Sequence, residues 1–332
     1  MTATSDPPTR TTPPAGAGRD GNGGPGDHGG TAAAPAATSL GVGLLKLARP
    51  KQWIKNLLVF AAPGAAGILD EIGPFTDAVI AFVAFCMAAA GTYYINDARD
   101  VEADRLHPKK RFRPVAAGSV PVGLAFVLGA ALLLAGVGVA FLANAKLAAV
   151  VVGYVCLTTA YSSWLKYIAV VDLTAVAAGF VLRAVGGAEA TEVGISQWFF
   201  IVTIFGSLFV VAGKRGAEAN EMGDDAGAFR SVLASYRPEY TAYVRSVTSS
   251  AVLVAYCMWA FDEATSAAIA NPDGLPWFQA SIVPFVMAVL RYALVLDQGK
   301  GSAPEEIVLG DRILQLIGLG WVVVFGIGVY TA

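Results

Sequence analysis

The residues best suited to chemistry form an acidic stretch in the first third of the chain, Asn96-Asp97-Ala98-Arg99-Asp100-Val101-Glu102-Ala103-Asp104. On a continuing helix, at about 100° per residue, Asn96, Asp100 and Asp104 drift by only about 80° in total. Asp97 lies beside Asp104 on the same arc. Packed carboxylates repel one another unless a cation lies among them, and oxygen ligands favour Mg²⁺ that also binds substrate phosphates. The spacing therefore predicts a magnesium and phosphate site, against the plainer interpretation of a solvated helix end with local salt bridges.

A basic run follows directly and reads Lys109-Lys110-Arg111-Phe112-Arg113. Runs of this kind usually mark the cytoplasmic side of a membrane protein or bind anionic lipid. Beside a cluster of carboxylates and metal, Arg111 and Arg113 could also hold phosphate oxygens, so both interpretations stay open.

A second polar cluster in the later half of the chain contains Lys214, Arg215, Glu218 and Glu221. If the helix continues there, Lys214, Glu218 and Glu221 share an arc of about 60° with Asp225. A mixed face of cations and carboxylates can bind metal and phosphate together. Pairing of Lys214 with Glu218 at i,i+4 explains the same pattern without a ligand.

Two smaller features also attract attention. Arg183 lies within an apolar stretch, where a charge is costly and normally faces a cavity or a partner, here Glu189 or a backbone carbonyl. The segment from Tyr161 to Lys166 carries hydroxyls and an ammonium group that could reach a phosphate, although its aromatic residues would equally suit a membrane interface.

The elements that must position these residues are apolar helices. Hydrophobic residues make up 55% of the chain and charged residues 14%, whereas a soluble domain has about 25% charged residues. The sequence predicts an all-α polytopic membrane bundle over residues 41–332, after a disordered tail at 1–40 that is rich in Gly and Pro. Its nine transmembrane helices, each near the roughly 20 residues that a bilayer requires, are expected at about 53–70, 75–97, 119–141, 144–163, 168–188, 196–213, 246–265, 275–297 and 312–331.

The distribution of Lys and Arg predicts the topology. These residues concentrate before the first span and in the joints after spans two, four, six and eight, whereas the other joints contain only Lys146. By the positive-inside rule the first set faces the cytoplasm, which places the acidic stretch and the second cluster at the cytoplasmic face of the plasma membrane. The net charge of −2 does not suggest nucleic acid as a partner. Glycine-rich spans permit self-association without requiring it.

The acidic stretch has the form N-D-x-x-D-x-x-x-D at the end of the second span. In this position it resembles the UbiA superfamily of intramembrane prenyltransferases, and the likeness covers nearly everything after residue 41. The stretch Gly213–Glu221 replaces the aspartate repeat that is usual in the second motif of that superfamily. This departure resembles the decaprenyl-phosphate phosphoribosyltransferase branch, as do Arg49–Asn56, Tyr161–Lys166, Asp172–Arg183 and Ala303–Leu309.

The resemblance implies transfer of 5-phosphoribosyl from phosphoribosyl pyrophosphate to a polyprenyl (decaprenyl) phosphate, with release of pyrophosphate, for cell-wall arabinan precursors. It implies that Asn96 and Asp100 bind Mg²⁺, that Asp97 and Asp104 support them, and that Glu218 completes the site. The residues expected to bind substrate are Lys51, Lys55, Arg111, Arg113, Tyr161, Lys166, Arg183, Lys214, Arg215 and Glu221.

Two other functions are compatible with parts of the pattern. A prenyltransferase that joins a prenyl diphosphate to an aromatic acceptor would share the fold, but Lys214 and Arg215 in place of an aspartate motif argue against it. A carrier or channel would use intramembrane charges. Its binding groups usually lie near the midplane, whereas the acids here lie at the cytoplasmic ends of the spans.

Overall fold

The computed structural model describes residues 39–222, 231–272, 274–299 and 303–331, so all of the predicted tail except its last two residues lies outside the described part. The described residues are almost entirely helical. The α-helices are α1 (Leu40–Ala48), α2 (Ala61–Ala65), α3 (Ile72–Arg99), α4 (Val101–Leu106), α5 (Val122–Ala140), α6 (Ala145–Ser163), α7 (Val171–Ala190), α8 (Gln197–Met222), α9 (Pro238–Ala270), α10 (Trp277–Asp297), α11 (Pro304–Gly310) and α12 (Arg312–Thr331).

Eight of these described helices are long and apolar enough to cross a membrane, namely α3, α5, α6, α7, α8, α9, α10 and α12. Large apolar side chains such as Val127, Leu134 and Leu316 are exposed on their outer faces. In a membrane bundle such faces contact lipid tails and cost nothing, since the bilayer core is itself apolar. The predicted helical membrane bundle is therefore confirmed.

The segment predicted as the first span is not one α-helix. A 3₁₀-helix occupies Pro50–Phe60 and is followed by the short α2. The described residues therefore contain eight long apolar helices rather than the nine predicted, because an eleven-residue 3₁₀-helix and a five-residue α-helix stand here in place of one α-helix of membrane length.

Close backbone approach holds this segment against α7. A Cβ added at Gly187 would lie 1.8 Å from the carbonyl oxygen of Val59, so only glycine permits the contact. Val59 is fully buried and packs in one apolar core with Phe85 of α3 and with Leu147 and Val151 of α6. The 3₁₀-helix thus packs against several helices, and this brings Lys55 and the fully buried Asn56 into the bundle.

A bend separates α1 from the 3₁₀-helix at Arg49, which has a φ of +52°. This left-handed conformation is uncommon for a residue with a side chain and is followed here by Pro50, which cannot donate a backbone hydrogen bond. The bend turns the Arg49 side chain toward the end of α3. At the other end of the chain, Arg291 of α10 donates to Asp311, the residue that precedes α12, at 2.7 Å.

Candidate active site

The first polar network surrounds Asp97, near the end of α3. One carboxylate oxygen of Asp97 lies 2.7 Å from a guanidinium nitrogen of Arg49 and 3.2 Å from one of Arg113. Arg113 also donates to Asp104 at 2.8 Å. Both carboxylates are almost fully buried, and buried charges require partners of this kind. The predicted proximity of Asp97 to Asp104 is therefore observed, with one arginine between them.

Asp100 and Asn96, the other two candidate ligands of the acidic stretch, do not take part in these arginine contacts. Helix α3 ends at Arg99, Asp100 caps it in a non-helical conformation, and α4 begins at Val101. Asp100 is exposed at this junction. The amide nitrogen of Asn96 donates to the hydroxyl of Ser162 at the end of α6, at 2.9 Å, which fixes how the amide is oriented.

The second polar network is centred on Arg215 in α8, which is 2% exposed. Its guanidinium group contacts both carboxylate oxygens of Asp172, at 2.6 and 3.1 Å, and donates to the hydroxyl of Tyr161 at 2.9 Å. It also reaches Glu218 at 2.5 Å, and Glu218 lies 3.6 Å from Lys214. A buried, bidentate arginine and carboxylate pair of this geometry is rigid.

Helix α6 joins the two networks, because two consecutive residues at its end contact one network each. Ser162 accepts from Asn96 of the first motif, whereas Tyr161 donates to Asp172 and accepts from Arg215 of the second. The two predicted motifs, more than a hundred residues apart in sequence, therefore meet at the same end of the bundle.

A third network connects the 3₁₀-helix to α11. The ammonium nitrogen of Lys55 lies 3.0 Å from Glu305, and Gln52 hydrogen-bonds to both Lys55 and Glu305. Burial alone would raise the pKa of Glu305, but the charge of Lys55 and the hydrogen bonds to the carboxylate outweigh it. The pKa of Glu305 is therefore lowered, and the group is a carboxylate at neutral pH.

Tyr93 lies among these networks. The guanidinium carbon of Arg49 is 4.4 Å from the centre of the Tyr93 ring, within the range of a cation–π contact. The phenol is also close enough to Asp97, Arg183 and Glu305 to interact with their charges. Tyr93 therefore lies near both the Asp97 network and the Glu305 network.

Arg183 is buried deeper in the bundle and does not pair with Glu189. Its guanidinium donates to Asn56 at 2.6 Å, to the carbonyl oxygen of Gly179 at 2.6 Å and to the hydroxyl of Tyr154 at 2.8 Å. The carbonyl was one of the two partners expected from sequence. Glu189 lies instead 3.9 Å from Lys146.

An apolar groove of about 870 Å³ begins beside this polar centre. Phe180 belongs to both regions, because it lines the groove and lies 5.6 Å from the Arg183 guanidinium. The groove runs between the first segment and the last helix. Its walls include Leu57, Phe60, Val210, Trp259, Trp321 and Phe325. A long hydrocarbon chain would suit this lining.

Other predicted site residues lie at the edge of the polar centre. Lys51 and Arg111 are exposed, and Arg111 stacks on Phe112 at 4.9 Å. Lys166 lies 5.1 Å from the ring of Tyr167. Glu221 falls within α8, but its side chain is outside the described part, as is the whole of Asp225.

Sequence reasoning missed three residues of the centre as site candidates: Arg49, Asp172 and Glu305. Arg49 counts in the sequence among the basic residues before the first span, and Glu305 only within the stretch Ala303–Leu309. Asp172 opens an apolar stretch on the side predicted to be cytoplasmic, which was the available signal. The partner of each is distant in sequence, so spacing alone could not reveal the pairs.

The donor atoms at the acidic stretch are compatible with Mg²⁺ held jointly with a substrate. Within the described residues, no group of three or more His, Cys, Asp or Glu side chains is arranged to hold a metal ion. Mg²⁺ characteristically binds one or two protein carboxylates together with waters and substrate phosphates, so it needs no such cage. The amide oxygen of Asn96 and the carboxylate of Asp100 fit this pattern, whereas Asp97 and Asp104 are engaged by arginines.

The chain matches known proteins over most of its length. The family model described as "UbiA prenyltransferase family" matches residues 57–309. A Corynebacterium glutamicum protein named decaprenyl-phosphate phosphoribosyltransferase is 44% identical, over 88% of this chain and 88% of its own. A Mycobacterium tuberculosis protein of the same name is 41% identical, over 88% of this chain and 95% of its own.

A solved structure of a UbiA homolog from Archaeoglobus fulgidus bound to GPP and Mg²⁺ has a TM-score of 0.65. It is 19% identical, and the match covers 87% of this chain and 100% of that chain. At this identity the likeness establishes the fold.

Proposed function

Since the chain belongs to the UbiA prenyltransferase family, we propose that it transfers 5-phosphoribosyl from phosphoribosyl pyrophosphate to a polyprenyl phosphate and releases pyrophosphate. The names of the relatives that cover most of the chain at 41 to 44% identity support this reaction. The observation that carries it is the Arg215 network, in which an arginine and a lysine stand at the end of α8, beside the acidic motif.

The donor is small, soluble and multiply anionic, so it enters from the cytoplasmic face. Lys55 and Lys214 are close enough for their charges to interact, and each is also paired with a carboxylate. Together with Arg113 they supply positive charge for the 5-phosphate and the diphosphate. Tyr161, Lys166 and Arg215 would support these contacts from the ends of α6 and α8.

In this proposal Asn96 and Asp100 would hold Mg²⁺ together with the donor's diphosphate. The chemistry that bound Mg²⁺ supplies there is neutralisation of charge on the pyrophosphate. Asp97 and Asp104 orient Arg49 and Arg113 through their ion pairs. Glu218, held by Arg215, presents a carboxylate near the developing positive charge of the ribose.

The reaction replaces one bond at the ribose C1. An oxygen of the lipid phosphate forms a bond to C1 while the bond from C1 to the pyrophosphate oxygen breaks, and the electron pair leaves with pyrophosphate. The attacking phosphate is already anionic, so no strong general base is required. The apolar groove beside Phe180 would hold the polyprenyl chain within the membrane.

A donor screen tests the proposal. Purified protein would be incubated with Mg²⁺, a polyprenyl phosphate and either phosphoribosyl pyrophosphate or a prenyl diphosphate, and products identified by mass. We expect a polyprenyl phosphoribosyl phosphate in the first reaction only. Prenylation of an added aromatic acceptor in the second reaction, without product in the first, would favour the aromatic prenyltransferase instead. If the Asp100→Ala variant transferred phosphoribosyl at the wild-type rate, Asp100 would not be a ligand of the proposed metal site.

A further inference from the structure

Glu305 is a buried carboxylate in an unusual place. It lies in the second position of α11, a seven-residue helix at the cytoplasmic end of the bundle, and is 8% exposed. Its neighbour Glu306 is exposed to solvent on the same turn. Burial of an acid is not required in a short helix at an aqueous boundary. A carboxylate in the first turn interacts favourably with the helix N-terminus even when it is exposed to water.

The carboxylate of Glu305 is directed at groups that suit a phosphate. One oxygen accepts from the amide nitrogen of Gln52, and the other lies 3.0 Å from the ammonium of Lys55. Lys214 is near enough for its charge to be influenced by both Glu305 and Lys55. A carboxylate and a phosphate oxygen use the same cationic and N–H donors, so one can take the place of the other.

We propose that Glu305 is a built-in competitor that occupies the phosphate subsite formed by Gln52 and Lys55 until a substrate phosphate displaces it. This inference rests on the proposed function, since it assigns a resident occupant to the site that the donor or the lipid phosphate would take. Displacement exchanges one anion for another on Lys55, so the lysine is never left as an unpaired buried charge.

Two polar atoms would serve a second position of the Glu305 carboxylate. The Glu305 oxygen that faces Lys55 lies 3.0 Å from its ammonium nitrogen and accepts no further hydrogen bond in the described ranges. The hydroxyl of Tyr292 in α10 is buried and has no hydrogen-bond partner among the described residues, and the charge of Glu305 acts on it. A buried phenol without a partner is costly, and it can donate to the carboxylate once Glu305 leaves Lys55.

Direct binding of inorganic pyrophosphate to the purified full-length protein tests this competition. If Glu305 holds Lys55 for about nine-tenths of the time, Glu305→Gln should bind pyrophosphate about tenfold more tightly than the wild type. Glu306→Gln removes the same charge one residue away and should change the affinity by less than about twofold, because an exposed charge is screened. Unchanged or weaker binding by Glu305→Gln, or equal gains in both variants, would overturn the proposal.

Two further variants separate an effect on pyrophosphate binding from an effect on folding. Glu305→Asp keeps the charge but shortens the side chain, and should give a smaller gain in pyrophosphate affinity with an unchanged thermal midpoint. Tyr292→Phe removes the alternative partner and should weaken binding in the wild type but not in the Glu305→Gln background. Equal weakening in both backgrounds would contradict the exchange. Because binding is measured without transfer, a negative donor screen would refute the reaction and leave this result standing.

Discussion

At the level of single residues, the polar centre consists of buried charged side chains that form ion pairs with one another. Arg215 and Asp172 have side chains that are 2% and 0% exposed, so neither could remain charged inside the bundle alone. A pair of this kind contributes little net stability compared with apolar residues of the same size. Removal of one partner, however, destabilises the fold strongly, because it leaves a buried charge uncompensated. The pair is therefore better understood as a fixed support for Tyr161 and Glu218 than as a source of stability.

This asymmetry gives a prediction for Arg215→Met. The substitution removes both guanidinium contacts of the buried Asp172 carboxylate and should cost about 3–5 kcal/mol. The thermal unfolding midpoint in detergent should fall by roughly 10 °C, at about 2–4 °C per kcal/mol for a large domain. Lys214→Met is the matched control, since the Lys214 side chain is 31% exposed and its ion pair at 3.6 Å is worth less than about 1 kcal/mol. Equal falls in both variants would contradict this account.

Among the elements, α6 has the most specific task, because its last turn contacts both motifs. Ser162 fixes the amide of Asn96, while its neighbour Ser163 accepts from the exposed Arg99 at 3.3 Å. Groups that orient a metal ligand are often as important as the ligand itself. In the proposed magnesium site, the end of α6 would therefore set the orientation of the Asn96 ligand.

For this reason Ser162→Ala should raise the Mg²⁺ concentration that gives half-maximal transfer by about tenfold, a typical effect of losing an outer partner. Ser163→Ala should change this half-maximal Mg²⁺ concentration by less than about twofold. The measurement is a magnesium titration of the transfer rate at saturating donor. A larger effect from Ser163 than from Ser162 would show that Asn96 is not held in the way described.

The 3₁₀-helix is the other decisive element, because it brings Gln52 and Lys55 into the bundle. Its position depends on the contact of Val59 with Gly187, where a side chain cannot fit. Gly187→Ala should destabilise the protein by more than about 3 kcal/mol, since the opposing atom is backbone and cannot rotate away. Gly153→Ala in α6 has open space around it and should be neutral or slightly stabilising. Thermal unfolding of the two variants in detergent compares them, and a small effect at Gly187 would contradict the packing.

For the whole molecule, the contacts between motifs place the polar centre at one end of the bundle. The Lys and Arg residues of the sequence predict that this end faces the cytoplasm. Leu106, after the acidic stretch, and Leu142, at the opposite end of α5, are both well exposed. They provide a matched pair of positions for testing the orientation.

In a background with Cys86, Cys156 and Cys257 replaced by Ala, a membrane-impermeant maleimide should label Leu142→Cys in intact cells. Leu106→Cys should be labelled only after the cells are permeabilised. The ratio of the two labelling yields is expected to exceed about tenfold, because a sealed bilayer excludes the reagent. The opposite pattern would place the polar centre outside the cell and would separate it from a cytoplasmic donor.

The sequence by itself determined the helical membrane bundle, the gathering of charge at alternate joints and the candidacy of Asn96, Asp97, Asp100 and Asp104. These features are local, since hydropathy and helical spacing depend on neighbouring residues. Tertiary structure alone decided which charges pair. Arg49 meets Asp97 across 48 residues and Arg215 meets Asp172 across 43. Glu305 meets Lys55 from the other end of the chain. Such pairs form because packed helices exclude water and each buried ion must find a partner, a condition that no sequence spacing records.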